Sequence, residues 1–93
     1  MKIGFDPTKR DKTLKESGLD FEDTPDLFSS LRRITYTDNR KDYGELREVT
    51  MGELEGRLVV VLHTARGDQV RIISMRKANA KEIHWFEKQF SAS

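Results

Sequence analysis

The sequence predicts an α+β domain with N-terminal helices, a four-stranded antiparallel sheet and a C-terminal helix. The N-terminal part of the chain contains residues that typically begin and end helices, whereas from residue 32 onward apolar and polar residues alternate as in β-strands. A second helical pattern follows Asn79. The chain has 93 residues, so we expect one domain over residues 1–93 with a modest core.

Composition excludes several classes of site. The chain has no cysteine, hence no disulfide and no thiol nucleophile. Its two histidines, His63 and His84, lack the spacing of metal ligands, so we expect neither a metal nor a cofactor. No apolar run approaches the ~18 residues that cross a bilayer, and the N-terminus does not resemble a signal peptide. The expected location is cytoplasmic, with no membrane partner.

The net charge of +1 is distributed unevenly along the chain. Residues 57–93 hold seven Lys and Arg against three Asp and Glu, whereas residues 1–30 hold five against seven. A basic C-terminal third on an otherwise slightly acidic domain is typical of a localised anion-binding face. By composition alone, pairing of these cations with the acidic half is the preferred explanation.

Two helices are predicted ahead of the sheet. Residues 2–5 form a short strand candidate, and Asp6 then caps a nearly all-polar helix over Pro7–Ser17 that Gly18 ends. A second, short helix is predicted from Thr24, acting as its N-cap, to about residue 30.

Four strands and a closing helix follow. The strands are predicted at residues 32–37, 45–52, 58–62 and 70–75, separated by a charged loop and two tight turns. The third is a continuous apolar run, which is typical of a strand covered on both faces. Asn79 caps the last helix, with Glu82 in the capping-box position. We expect only residues 91–93 to fray.

The last two strands are rich in cations. The basic residues on or just beyond them are Arg66, Arg71, Arg76 and Lys77. Ser74 lies two residues before Arg76, so both side chains emerge on the same face of an extended strand, about 7 Å apart. Glu45 and Arg47 form the same pattern in an earlier strand. One sheet therefore offers a carboxylate, a hydroxyl and several guanidinium groups.

These groups suit RNA cleavage by the adjacent 2′-hydroxyl. That reaction needs a proton acceptor, cations that stabilise the developing dianion and a donor for the leaving oxygen, but no metal. Glu45 is the preferred acceptor, with His63 in reserve. A partly buried strand histidine bonded to a carbonyl is an equally good interpretation of His63. The alternative is cross-strand pairing of Glu45 with an arginine and of Ser74 with the backbone. On the residues alone, we favour this structural alternative.

The chain resembles the BrnT toxins over about residues 3 to 90. In the N-terminal part the matching residues are Phe5-Asp6-Pro7, Lys9, Leu14, Gly18, Phe21-Glu22 and Phe28. In the middle they are Tyr43-Gly44-Glu45, Arg47, Gly52 and Gly56-Arg57-Leu58-Val59-Val60. The most characteristic stretch comprises Arg71-Ile72-Ile73-Ser74, Arg76-Lys77-Ala78 and Glu82.

The resemblance implies a RelE-like fold and a metal-independent endoribonuclease, the toxin of a type II toxin–antitoxin pair, which cuts RNA to inhibit translation. On this basis Arg71 and Arg76 are expected to bind the scissile phosphate, and Ser74 to donate a hydrogen bond to it. Arg47 would orient Glu45 or bind a flanking phosphate, while Arg66 and Lys77 would hold the RNA.

The resemblance also implies partners. BrnA, a ribbon-helix-helix antitoxin, is expected to cover the toxin in a heterotetramer and to connect it to operator DNA. The RNA substrate would be free or on the ribosome.

The first helix departs from the family pattern. The family usually has Asn and then Arg-Lys-His-Gly, where this chain has Thr13 and then Lys15-Glu16-Ser17-Gly18. Pro25 also replaces a helix former. If the first helix contacts RNA, these changes weaken or redirect the activity. Glu16 and Ser17 favour the alternative of a non-catalytic homologue that binds the antitoxin and regulates the operon.

A generic nucleic-acid-binding domain is the third hypothesis. The near-neutral charge argues against it. So does the expectation that Tyr36, Tyr43 and Trp85 lie in the core, which would leave no exposed aromatic platform for bases.

Overall fold

The computed structural model describes residues 1–91, so the expected fraying of residues 92 and 93 lies outside the described part. The elements are β1 (Lys2–Phe5), α1 (Pro7–Ser17), a 3₁₀ turn (Phe21–Asp23), α2 (Thr24–Phe28), β2 (Arg33–Thr37), β3 (Arg47–Leu54), β4 (Arg57–Arg66), β5 (Gln69–Lys77) and α3 (Ala80–Phe90). Over residues 1–91, none of the helices has the length and apolar character needed to span a membrane.

The sheet has five strands in the order β1-β5-β4-β3-β2, so the prediction of four strands was wrong. Residues of β1 pair in parallel with β5, as in Ile3 with Val70, while the other neighbours are antiparallel. The short N-terminal strand joins the sheet because it fills the open edge of β5 and packs Ile3 and Phe5 against the core.

Each face of the sheet has its own core. The face covered by the 3₁₀ turn and α2, here the N-terminal face, carries Val59 and Val61 of β4 against Phe21 and Leu27. The opposite face, here the α3 face, carries Val60 against Phe86. Burial on both sides explains the continuous apolar run at residues 58–62 of β4.

Two local features bring the N-terminal segment onto its face. A Cβ on Gly52 would lie 3.2 Å from the Leu27 side chain, so the glycine gives α2 room to approach β3. Thr24, predicted as the cap of α2, is instead its first residue, because its hydroxyl donates to the Phe21 carbonyl at 2.8 Å.

A β-bulge in β5 determines which side chains share the α3 face. Leu62 pairs with Ser74 and His63 pairs with Ile72, which leaves Ile73 as an extra residue. Strict alternation would place Arg71 and Ser74 on opposite faces. The bulge resets the alternation, so both lie on the α3 face.

Helix α3 is anchored at both ends. At its start Asn79 and Glu82 form the predicted capping box. Towards its end, Arg32 contacts Glu87 at 2.6 Å and Glu53 at 3.2 Å, and its guanidinium lies over the rings of Phe86 and Phe90. This contact between Arg32, which precedes β2, and the end of α3 was not predicted. The helix therefore covers only one end of the α3 face, and the end that carries Ser74 stays open.

Candidate active site

A cavity of about 600 Å³ opens on the α3 face beyond the start of α3. Its floor is apolar, and its rim combines β5, α3 and the segment that follows β2. The lining residues are Tyr36, Thr37, Asp38, Asn39, Arg40, Val49, Val60, Leu62, Ser74, Arg76 and Glu82. Two guanidinium groups, two carboxylates and several hydroxyls therefore surround a concave, water-accessible space.

Arg76 is held in a two-pronged pair with Glu82. Both guanidinium nitrogens Nη1 and Nη2 donate to the carboxylate at 2.7 Å, and the Asn79 amide donates to Glu82 Oε1 at 2.9 Å. The hydrogen bonds from Arg76 hold the pKa of Glu82 below its usual range. Glu82 thus connects the cap of α3 to the cavity, and it remains ionised near neutral pH.

Arg40 is fixed in the same way by Asp38. Its Nε and Nη2 donate to the two carboxylate oxygens at 2.8 and 3.0 Å. The Asp38 side chain is only 2% exposed, and the Arg40 hydrogen bonds lower its pKa. Both residues lie in the charged loop predicted after residue 37, and neither was predicted as a site residue. One feature of the sequence could have indicated this position: Asp38 lies two residues beyond Tyr36, so an extended strand would place both side chains on the same face.

Ser74 is exposed at the cavity and sits opposite Leu62 of β4. Among residues 1–91, no protein group is hydrogen-bonded to its hydroxyl. Arg71 lies two pairing steps along, opposite Thr64, and likewise forms no ion pair within the described residues. The bulge thus places Ser74 and Arg71, which have no side-chain partner among the described residues, on the same face as the paired Arg76.

A second cluster lies at the far end of the same face. Glu45 is 3.4 Å from Arg47 and 3.5 Å from Arg66, and the Arg47 guanidinium stacks 3.8 Å from the Tyr43 ring. Arg47 pairs with Thr64, the same residue that Arg71 faces from the other side. A smaller hollow of about 300 Å³ at this cluster shares residues 37–39 with the cavity.

His63 lies apart from these groups, on the N-terminal face. It is buried, with Nε2 2.8 Å from Thr50 Oγ1 and its ring edge-on to Phe28 at 4.9 Å. Burial lowers its pKa, so the neutral ring is favoured. Lys77 also points away from the cavity, because it pairs with Val59 of the N-terminal core.

Helix α1 contributes no residue to the cavity lining. Arg10 fastens it to Asp20 through hydrogen bonds of 2.9 and 2.8 Å, beside the segment that covers the N-terminal face. Ser17 donates to the Thr13 carbonyl at 2.7 Å near the end of the helix. The family departures in α1 therefore lie away from the cavity.

The aromatic residues correct one expectation. Tyr36 and Trp85, predicted to be core residues, are each 43% exposed. Their rings meet edge to face, with centroids 6.3 Å apart. Tyr36 also lines the cavity. An exposed aromatic surface therefore does exist, and it adjoins the cationic groups.

Comparison with known families is decisive about the class of protein. A family model described as ribonuclease toxin, BrnT, of type II toxin–antitoxin system matches residues 5–82. The chain belongs to the BrnT family. The matched segment includes both cationic clusters of the α3 face and ends at Glu82. A search of the curated proteins finds no match.

Membership in the BrnT family has two consequences. It implies a ribonuclease toxin, which accords with an open cavity bordered by arginines. It also implies an antitoxin partner, since a type II toxin is paired with an antitoxin.

Proposed function

We propose that this BrnT-family chain is a single RelE-like domain that cuts RNA without a metal ion, by attack of a 2′-hydroxyl on the adjacent phosphate. The observation that carries the proposal is that Arg71, Ser74 and Arg76 share the α3 face of β5, with Ser74 and Arg76 lining the cavity. A hydroxyl donor between two guanidinium groups matches the oxygens of a phosphodiester. The arginines can stabilise the charge that develops on them in the transition state.

In this mechanism the 2′-oxygen forms a bond to phosphorus and the bond from phosphorus to the 5′-oxygen breaks. The products are a 2′,3′-cyclic phosphate and a 5′-hydroxyl end. Arg71 and Arg76 stabilise the pentavalent phosphorane, and Ser74 donates to one of its oxygens. Water in the open cavity supplies the proton that the leaving 5′-oxygen takes up.

Glu45 is the proposed acceptor of the 2′-hydroxyl proton. The two carboxylates of the cavity, Asp38 and Glu82, are poor acceptors, because two-pronged arginine pairs lower the pKa of each. Glu45 has looser contacts, at 3.4 and 3.5 Å, and Arg47 and Arg66 hold it over the adjoining hollow. The RNA would cross both hollows, with Arg66 along its path.

The placement of His63 and Lys77 removes both from the proposed site. A ring buried on the N-terminal face has no path to a phosphate on the α3 face, and Lys77 emerges on the same side as that ring. Arg40 takes their place as a second cation of the cavity rim.

The proposed partners follow the family. The antitoxin would be a ribbon-helix-helix protein like BrnA that forms a heterotetramer with the toxin and alone contacts operator DNA. The substrate would be cellular RNA, free or on the ribosome, in the cytoplasm.

Growth after induction tests the proposal in cells. The wild-type chain should arrest growth, and co-expression of the neighbouring reading frame should relieve the arrest. Arg76→Ala should grow normally at equal expression. Arrest by well-expressed Arg76→Ala would show that the site lies elsewhere.

One observation favours a second candidate, a non-catalytic homologue that binds the antitoxin and regulates the operon. Both arginines of the cavity, Arg40 and Arg76, are already neutralised by carboxylates. Absence of growth arrest from folded wild-type protein that still binds the antitoxin would favour this candidate.

A further inference from the structure

A second concave surface adjoins the cavity. It is an open groove of about 500 Å³, lined by Ile34, Tyr36, Met51, Lys81, Glu82 and Trp85. Tyr36 and Glu82 also line the cavity, so the two spaces share a wall. A molecule held by the arginines of the cavity therefore reaches the groove without leaving the protein surface.

The aromatic pair of the groove forms a corner. The planes of Tyr36 and Trp85 are 77° apart, and both rings are partly open to solvent. A flat ring that enters can stack on one of them and place its edge against the other. Ile34 and Met51 supply apolar contact beneath, since both point to the α3 face from paired positions on β2 and β3.

We propose that this groove binds a nucleobase of the RNA, next to the phosphate held by Arg76. The proposal rests on the proposed function, because the RNA backbone is what connects the groove with the cavity. Aromatic stacking is how proteins hold unpaired bases, and every base has a face that stacks. An apolar aromatic corner directly beside a cavity that carries Arg76 matches the alternation of base and phosphate along a strand.

A purine fits this corner better than a pyrimidine. Its larger ring system covers more of the two aromatic side chains. Its N7 is also an acceptor that the exposed ammonium of Lys81 can reach from the rim of the groove. The groove would thus give the enzyme a base preference at one position beside the cut.

The chain carries its own reporter for this proposal. Trp85 is its only tryptophan, so the indole fluorescence reports the groove alone. The probe is a short oligonucleotide of 2′-deoxyadenosine, which lacks the attacking hydroxyl and stays intact. The matched control is the same phosphate backbone without bases. A pyrimidine oligonucleotide of equal length tests the preference.

We expect the adenine probe to quench Trp85 fluorescence, the pyrimidine probe to bind more weakly and the abasic backbone to cause no quenching. Tyr36→Leu should weaken binding of the adenine probe by roughly tenfold, whereas Tyr36→Phe should retain it. No binding of the adenine probe at low salt, or equal binding and quenching by the abasic backbone, would overturn the proposal. So would a Tyr36→Leu variant that loses the antitoxin yet binds the probe normally, since the groove would then be a protein interface.

This test separates the groove from the catalytic proposal, because it requires no cleavage. Base-dependent quenching by a protein that cuts no RNA would support the groove and contradict the ribonuclease mechanism. Cleavage that depends on Arg76, with no base-dependent quenching, would support the mechanism and overturn the groove.

Discussion

Arg76 and Glu82 face each other across the rim of the cavity through two hydrogen bonds of 2.7 Å. Glu82 occupies the two guanidinium nitrogens that a phosphate would use, and it belongs to the helix that closes the chain. RNA binding at Arg76, as proposed, would therefore compete with an internal carboxylate. The same carboxylate completes the capping box of α3. A change at Glu82 therefore affects both the cavity and the stability of that helix.

Glu82→Gln should tighten RNA binding. The amide can still complete the capping box, but it no longer neutralises Arg76. A partly exposed ion pair contributes about 0.2 to 1 kcal/mol, so we expect the dissociation constant for RNA to fall by up to about fivefold. Fluorescence anisotropy with labelled RNA at low salt measures this. Glu87→Gln removes a carboxylate from the same helix away from the cavity and should leave the affinity unchanged. Weaker binding by Glu82→Gln would refute the competition.

Arg71 and Lys77 should differ in their effect on the salt dependence of RNA binding. Arg71 shares the α3 face with Ser74, whereas Lys77 lies on the opposite face. Each phosphate contact to single-stranded RNA contributes about 0.7 to the slope of log K against log salt. Arg71→Ala should reduce the slope by about that amount, and Lys77→Ala should not change it. Equal effects of the two substitutions would contradict the assignment of faces.

His63 should affect stability and not catalysis. Because burial lowers its pKa in the folded protein, the unfolded chain binds the proton more readily. Its contribution to stability is complete above the ordinary histidine pKa of about 6.5 and declines as the pH falls from there through the lowered pKa.

The variant His63→Gln should therefore lose less stability between about pH 7 and pH 5 than the wild type, as measured by urea unfolding. Its cleavage rate per folded molecule should be unchanged. His84→Gln, at an exposed position of α3, is the matched control. A large loss of activity in folded His63→Gln would restore the histidine as a catalytic group.

Arg32 should be a stability residue of the α3 face. It bridges Glu53 and Glu87 and covers the rings of Phe86 and Phe90. Removing this contact should lower the free energy of unfolding by about 1 to 2 kcal/mol in Arg32→Ala. The neighbouring Arg33 donates to the Ser30 carbonyl from an exposed position, so Arg33→Ala should cost less than about 0.5 kcal/mol. Similar losses in both variants would show that Arg32 does not anchor α3.

Local signals determined what could be predicted from the sequence. The bounds of α1 over Pro7–Ser17 are those of the structure, because Asp6 and Gly18 act within one turn of the helix ends. The capping box of Asn79 and Glu82 was likewise predictable. So was the shared face of Ser74 and Arg76, since a step of two residues suffices to define it.

Features that depend on distant partners were not predictable. Nothing in residues 2–5 shows that they pair in parallel with β5. The bulge at Ile73 comes from the pairing of two strands, so strict alternation misplaces Arg71. The burial of Asp38 and the exposure of Tyr36 depend on how the loop after β2 folds over the sheet.

Cleavage of purified RNA in the presence of a chelator decides whether this chain cuts RNA without a metal ion. Wild-type protein should cut single-stranded RNA in EDTA and leave 2′,3′-cyclic phosphate ends. Identically purified Arg76→Ala should be folded and inactive, while Glu82→Gln, which breaks the same ion pair from the other side, should remain active. A requirement for a divalent metal, or cleavage by Arg76→Ala at the wild-type rate, would contradict metal-independent cleavage at a site that includes Arg76.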